Sequence, residues 1–219
     1  MTSLWRGTLD PHRQDAARQL RPEPGLTVLD LACGTGLNFA LLEPAIGPTG
    51  AIVGTDYSSG MLARAAHRVA QHGWSNVRLL QADARTLTTE QIALPHGRLH
   101  RVLCTLGLSV MPEWESVFQR TFEMLEPVGR YAAMDLYIEP GRGLLSRALD
   151  LGYRVVPRAD HSRRFWLPLQ QHCADYDEPA VRRYEPPFSA VDALAAAVCT
   201  RSTRAGQPAS ARTVSRSSF

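Results

Sequence analysis

The sequence contains no lysine: all 24 of its basic residues are arginine. That absence excludes a P-loop, a Schiff-base enzyme and a Ser-Lys nucleophile pair, each of which needs an amine on a flexible stem. We read the replacement as codon bias toward arginine. Cysteine is scarce as well. Cys33, Cys104, Cys173 and Cys199 form no C-x-x-C pair and no metal-ligand spacing, so no metal site is expected and all four read as reduced thiols. No apolar run approaches the roughly 18 to 20 residues of a membrane span. The N-terminal stretch MTSLWRGTLDPHRQ lacks a signal-peptide apolar core, and the expected location is the cytoplasm. The formal charge is only +3, and residues 193–219 carry Arg201, Arg204, Arg212 and Arg216 with no acid, which leaves the rest of the chain close to neutral. No nucleic-acid partner is expected from such a balance.

What is present points to an α/β fold. With 219 residues, 44% of them hydrophobic, the chain is long enough for one well-buried core and short for two α/β domains. HRQDAARQL (12–20) reads as a helix stopped by RPEPG. LTVLDL (26–31), GAIVGTD (50–56), VRLLQAD (77–83), RVLCTLG (101–107) and GRYAAMDLY (129–137) read as buried strands, because their apolar runs are short and unalternated. Helical patterns lie between them. SSGMLARAAHRVAQHG has a serine N-cap and a terminal glycine, and Pro112–Glu126 places Trp114, Val117, Phe118, Phe122 and Leu125 on one face. This alternation implies a doubly wound, mostly parallel sheet with helices on both faces. Helices are also expected within 139–156 and 162–176. From Glu185 the chain turns rich in Ala, Ser and Arg; its last twenty or so residues read as disordered, and no closing strand is recognisable after Val198. The expected organisation is an N-terminal helix and turn at 1–25, a ligand-binding domain at 26–184 and an atypical tail at 185–219.

The stretch LDLACGTGLNF (29–39) joins the first strand to its helix through Gly34 and Gly36, where a backbone without Cβ atoms allows close approach of a ligand. A dinucleotide G-x-G-x-x-G motif needs a third glycine at position 39, which is Phe39. Asp30, four residues before Gly34, would repel a pyrophosphate and favour an ammonium or sulfonium group. Asp56 ends the second strand twenty residues after Gly36, a spacing suited to ribose hydroxyls, and Asp83 ends the third. Three strands thus deliver a carboxylate to one edge of the sheet.

These motifs resemble the class I S-adenosylmethionine-dependent methyltransferases, in particular the group that acts on small molecules and lipid precursors, including quinone-biosynthesis and phospholipid types. VLDLACGTG is similar to their first motif, with Ala32 where many members have glycine; GTDYSSGMLARA and QADA resemble their second- and third-strand motifs. CTLGLSVMPEWESVFQRTFEMLEPVGRYAAMDLY resembles the region from the fourth strand to the fifth, with Val128 in place of a usual glycine. The likeness implies a seven-stranded-type sheet closed by an antiparallel hairpin, which is read here as incomplete. It also implies S-adenosylmethionine as the cofactor and a small-molecule or lipid-like acceptor. Asp30 and the backbone of Cys33, Gly34, Thr35 and Gly36 would meet the methionine part, and Asp56 the ribose. Tyr57 and Met61 would flank the adenine, Asp83 and Ala84 would read its amino group, and Thr105 and Leu106 would face the methyl.

Transfer from a sulfonium needs alignment in a dry pocket more than a catalytic side chain. Where a base is required, His161, Tyr137 and His100 are the candidates, while Asp135 reads as a structural acid of strand five. Arg154, Arg158, Arg163 and Arg164 surround FWLPL and read as a solvated face ahead of an anion site. The alternatives are a noncatalytic S-adenosylmethionine-binding module and, disfavoured by Phe39 and Asp30, an NAD-dependent oxidoreductase. A nucleophile elbow at GLSVM fails at Met111.

Overall fold

The computed structural model describes residues 3–92, 97–137, 159–173 and 193–201. In chain order the elements are α1 (Ser3–Gln19), β1 (Thr27–Leu31), α2 (Phe39–Ile46), β2 (Ala51–Asp56), α3 (Ser59–His72), β3 (Val77–Gln81), α4 (Thr89–Ile92), β4 (Leu99–Thr105), α5 (Trp114–Glu123), β5 (Leu125–Tyr137), α6 (Trp166–His172) and β6 (Ala193–Thr200). The strands form one sheet in the order β3-β2-β1-β4-β5-β6. All pairings are parallel except β5 with β6. The order reverses between β1 and β4, so the crevice beyond their carboxyl ends is where a ligand is expected.

The strands β1 to β5 divide their side chains between two cores, which explains why the runs show no polar alternation. Leu29, Val102, Cys104, Tyr131 and Ala133 join one cluster with Val117, Phe118 and Phe122 of α5 and Leu169 of α6. Val28, Ile52, Leu103, Ala132 and Met134 join the other with Ala16 and Leu20, Phe39 and Leu42 of α2, and Leu62 and Ala65 of α3. The helix ends follow their residues. Ser58 accepts from the Met61 N–H at 3.3 Å, and Gly73, at φ +67°, returns its N–H to Ala70 and Val69. α5 starts at Trp114, two residues later than Pro112, because Glu113 adopts φ +52°. The fifth strand begins at Leu125, ahead of the expected Gly129, with a register shift against β4 between Leu99 and Arg101. Among the described residues no helix is long and apolar enough to cross a membrane.

Two expectations need correction. The sheet does acquire an antiparallel closing strand: Ala193–Thr200 pairs with Tyr137–Arg130 over eight register positions. Alanine has low strand propensity, and ALAAAVCT has no alternation to read, so the strand owes its existence to the hydrogen-bonding edge that β5 offers. Arg201, read as part of a basic tail, instead donates to the Glu123 carbonyl at 2.7 Å and to that of Leu125, satisfying the end of α5. The cysteines are not all thiols, either: Cys33 and Cys104 are free, whereas Cys173 is disulfide-bonded. Spacing along the chain cannot reveal such a bond. The helix expected within 139–156 and the disordered last residues lie outside the described residues.

Val128 occupies φ +63° with its side chain exposed, a conformation that crowds a β-branched residue, while its N–H bonds the Arg201 carbonyl at 3.0 Å. Glycine keeps that hydrogen bond and removes the crowding. Val128→Gly is expected to stabilise the protein by roughly 1 kcal/mol after the entropy of the freer unfolded chain is subtracted. Thermal unfolding should show a melting temperature about 2–4 °C higher; an unchanged or lower value would contradict the backbone assignment.

Candidate functional site

The turn after β1 rises through three left-handed residues, Ala32 (φ +54°), Gly34 (φ +56°) and Gly36 (φ +74°). Alanine stands at the first of them, where the sequence likeness anticipates glycine. Two groups from β2 pin the turn. The Cys33 N–H donates to the Thr55 carbonyl at 2.9 Å, and the Gly34 N–H donates to Asp56 Oδ2 at 2.9 Å. The second Asp56 oxygen accepts from the Ser58 N–H, also at 2.9 Å, so one carboxylate joins the glycine turn to the start of α3. A Cβ at Gly34 would meet nothing within 4 Å, so this backbone faces open space. The Thr35 carbonyl is turned toward α3, where it accepts from Arg68 Nε at 3.0 Å.

Beneath the turn lies a buried polar network. Asn38 donates from Nδ2 to Asp30 Oδ1 at 2.6 Å and to Thr105 Oγ1 at 3.1 Å. Arg13 Nη1 donates to Asn38 Oδ1 at 2.8 Å and to Thr105 Oγ1 at 2.5 Å. Four elements, α1, β1, β4 and the start of α2, are thereby tied together. Asp30 is fully buried, and its Oδ2 has no hydrogen-bond partner among the described residues. Burial pushes its carboxyl up to about 7, against the opposing pull of the Asn38 hydrogen bond and the Arg13 charge. The sequence pictured Asp30 as an open carboxylate facing a cation. The structure instead covers it with Asn38, because β1 is buried along its whole length and Asp30 lies inside it, one residue before its end.

A cleft of about 380 Å³ opens beside the turn, within the usual range for small-ligand sites. Its walls are Ala32, the ends of β2 and β3 with the residues that follow (Thr55, Asp56, Tyr57, Ala82, Asp83, Ala84 and Arg85), and Val110, Met111, Pro112 and Val117 from the segment between β4 and α5 and from α5 itself. Of the expected cofactor residues it gathers Asp56, Tyr57, Asp83 and Ala84. Cys33, Gly34, Thr35 and Gly36 form the adjoining turn; Asp30 and Thr105 belong to the network below it. Met61 is partly exposed on the first turn of α3. Leu106 follows β4 at φ +58°, with its N–H on the Met134 carbonyl at 2.7 Å. The apolar wall at 110–112 and the partners Asn38, Arg13 and Arg85 were not anticipated. Asn38, a lone amide in an otherwise apolar stretch, is the one such signal the sequence carried.

The wall after β4 is fixed from β5 and from the segment at 159–164. Asp135 accepts from the Ser109 N–H and the Leu136 N–H, both at 2.8 Å, and burial lifts its carboxyl to about 6. This is the structural role expected of it. Arg163 donates to the Leu108 carbonyl at 2.7 Å and the Met111 carbonyl at 2.5 Å and lies 3.5 Å from Asp160. Arg163 is therefore a strap on the cleft wall, which corrects its reading as part of a solvated face; Arg164 is exposed, and Arg154 and Arg158 fall outside the described residues.

The three candidate bases separate. Tyr137 ends β5 at the cleft edge of the sheet, ring edge against Trp166, and His161 is buried beside Asp160, whose N–H bonds the Ser109 carbonyl. His100 lies at the opposite edge, five residues or about 17 Å of strand before Thr105. Its Nδ1 accepts from the Thr27 N–H at 2.9 Å and its Nε2 is 3.5 Å from Glu126, so it joins the beginnings of β1, β4 and β5 and cannot serve the cleft. Among the described residues no three His, Cys, Asp or Glu side chains are grouped to hold a metal.

Residues 28–129 match the family model described as a methyltransferase domain. The demethylmenaquinone methyltransferase of Lactococcus lactis is 29% identical over 147 residues, 67% of this chain and 56% of that protein. The chain therefore spans about half the length of the curated relatives it matches. Among solved structures, the YcgJ protein from Bacillus subtilis aligns over 89% of this chain and all of its own, with TM-score 0.66 and 14% identity. A SAM-dependent methyltransferase from Aquifex aeolicus aligns over 86% of this chain and 89% of its own, with TM-score 0.56 and 15% identity. At such identities the structural likeness establishes the fold.

Two outcomes follow. The raised carboxyl of Asp30 means that the native state holds a proton more tightly than the unfolded chain does. Its contribution is therefore most favourable below the ordinary carboxylate range and is lost as pH rises through about 7, by on the order of a few kcal/mol. Asp30→Asn, which still accepts from Asn38, should unfold like the parent near pH 4 and resist urea better than the parent at pH 8. Equal stability at both values would contradict a buried, proton-binding Asp30. His100→Ala should lower the melting temperature yet leave ligand affinity at the cleft within about twofold, in keeping with a lost hydrogen bond remote from the site; a large loss of affinity with the fold intact would restore His100 as a site residue.

Proposed function

We propose, for a chain whose residues 28–129 match the model of a methyltransferase domain, that it binds S-adenosylmethionine at the carboxyl edge of the sheet and transfers the methyl group to a small-molecule acceptor. The observation that carries this reading is the Asp56 carboxylate, held by the Gly34 and Ser58 N–H groups at the lip of a cleft of suitable size. A carboxylate has about four acceptor positions, so two remain for ribose hydroxyls. The open face of Gly34 and the largely apolar cleft fit the rest of such a ligand.

When bound, S-adenosylmethionine supplies an activated methyl group on a sulfonium. Tyr57 and Met61 would flank the adenine, with Asp83 and Ala84 at its amino group. The backbone of Cys33, Gly34, Thr35 and Gly36 would lie along the methionine part, with Asp30 acting on that turn through Asn38. Thr105 and Leu106 would stand nearest the methyl. The chain's own contribution is to orient and to exclude water, and Arg163 and Asp135 support it by holding the 108–111 wall in place. Where the acceptor must lose a proton, Tyr137 or His161 would take it. The relatives named demethylmenaquinone methyltransferases make a quinone-type ring the first acceptor to try.

Calorimetric titration tests the reading. The intact chain should bind S-adenosylmethionine at micromolar concentration and not NAD, and Asp56→Ala should weaken it by about tenfold or more, as expected for hydrogen bonds to a charged group. Undiminished affinity in that variant, or none in the parent, would reject it. Binding without transfer of labelled methyl to any extracted small molecule would leave a binding module in place of an enzyme.

A further inference from the structure

Arg85, which lines the cleft next to Asp83, does not figure in the reading above. Its backbone N–H donates to Asp83 Oδ1 at 2.9 Å. Its Nε reaches Oδ1 at 3.0 Å and Oδ2 at 3.1 Å, and its Nη2 reaches Oδ2 at 2.6 Å. Each carboxylate oxygen thus carries two contacts, made by three N–H groups because the one Nε hydrogen is shared, and Asp83 keeps about one acceptor position free. On the far side, Nη1 lies 3.6 Å from Glu113, the residue ahead of α5 whose side chain makes no capping bond to that helix. The guanidinium therefore runs from the end of β3 to the start of α5 along the wall of the cleft.

Building on the S-adenosylmethionine reading, we propose that Arg85 is a specificity-determining residue for position 6 of the purine, acting by occupying the carboxylate that would otherwise select an amino group. An adenine amino group therefore competes with the arginine side chain for Asp83. A 6-oxo purine, which is an acceptor at that position, can take a hydrogen bond from the guanidinium directly. The pair is open to solvent, so the arginine can be displaced, but an adenine amino group must compete with it for the carboxylate. The site accordingly discriminates weakly between amino and oxo bases, and removing the arginine sharpens the choice.

The test is titration of the full chain with S-adenosylhomocysteine and its 6-oxo analogue, S-inosylhomocysteine. Both carry a thioether in place of the sulfonium, so the loss of one positive charge does not by itself alter attraction to the ligand. The parent should prefer the adenine form by less than about threefold. Arg85→Gln should bind the adenine form several-fold tighter and widen the preference to about tenfold or more; Glu113→Gln, which loosens only the outer contact, should fall between. Circular dichroism of each variant confirms that the fold is kept, as expected for an exposed side chain. If Arg85→Gln leaves the preference unchanged or weakens the adenine form while the parent binds, the role of Arg85 is overturned and the cofactor reading stands. If the parent binds neither ligand, both fall together.

Discussion

The position of one carboxylate governs the edge of this sheet. Asp56 accepts from the Gly34 N–H and the Ser58 N–H, and through those two bonds it determines where the turn after β1 lies relative to the start of α3. The turn has few other constraints: its glycines are there because the path is left-handed, and a left-handed path is soft unless something holds it. β1 and β2 run in parallel register, so Asp30 sits opposite Gly54 and Asp56 lies just beyond the paired residues. A carboxylate one step past the ladder can turn back toward the neighbouring strand's turn, and here it does.

Two environments meet at that turn. Below it, Asp30, Asn38, Thr105 and Arg13 form a dry network in which each bond is strong and each missing partner is costly. Above it, backbone and carboxylate face an open cleft. Of the five non-glycine residues at positive φ among the described residues, three, Ala32, Leu106 and Glu113, stand in the segments that frame the cleft. Strain of this kind persists only where surrounding structure over-determines the backbone, and here the surrounding structure is visible: Asp56 against the turn, the Met134 carbonyl on Leu106, and Asp135 with Arg163 on the wall that follows. The cleft is thus held from below, from β5 and from the segment at 159–164.

Much of this was legible in the sequence, for a definite reason. Strands buried on both faces leave short apolar runs, and residues at strand ends recur at spacings set by the βαβ unit, so Asp56 and Asp83 could be assigned to one edge before any coordinates. The same reasoning could not find the network around Asp30, because Arg13 reaches Thr105 across 92 positions of sequence and no local pattern encodes that contact. Arg85 escaped because an arginine two residues after an aspartate is unremarkable until both are seen at the cleft. β6 escaped because alanines read as strand only beside an edge in need of pairing. His100 was misjudged through residue type alone; its place at the start of β4 was already enough to put it at the wrong end of the sheet.

The central claim is that the carboxyl edge around Asp56 is where the nucleoside binds. Amide hydrogen exchange on the intact chain, with and without S-adenosylhomocysteine, addresses it most directly. The account predicts slowed exchange in the segments 32–36, 56–61 and 83–85, with no change around Thr27 and His100 at the opposite edge. Slowing confined to the opposite edge, or an exchange pattern that the ligand leaves untouched, would contradict it.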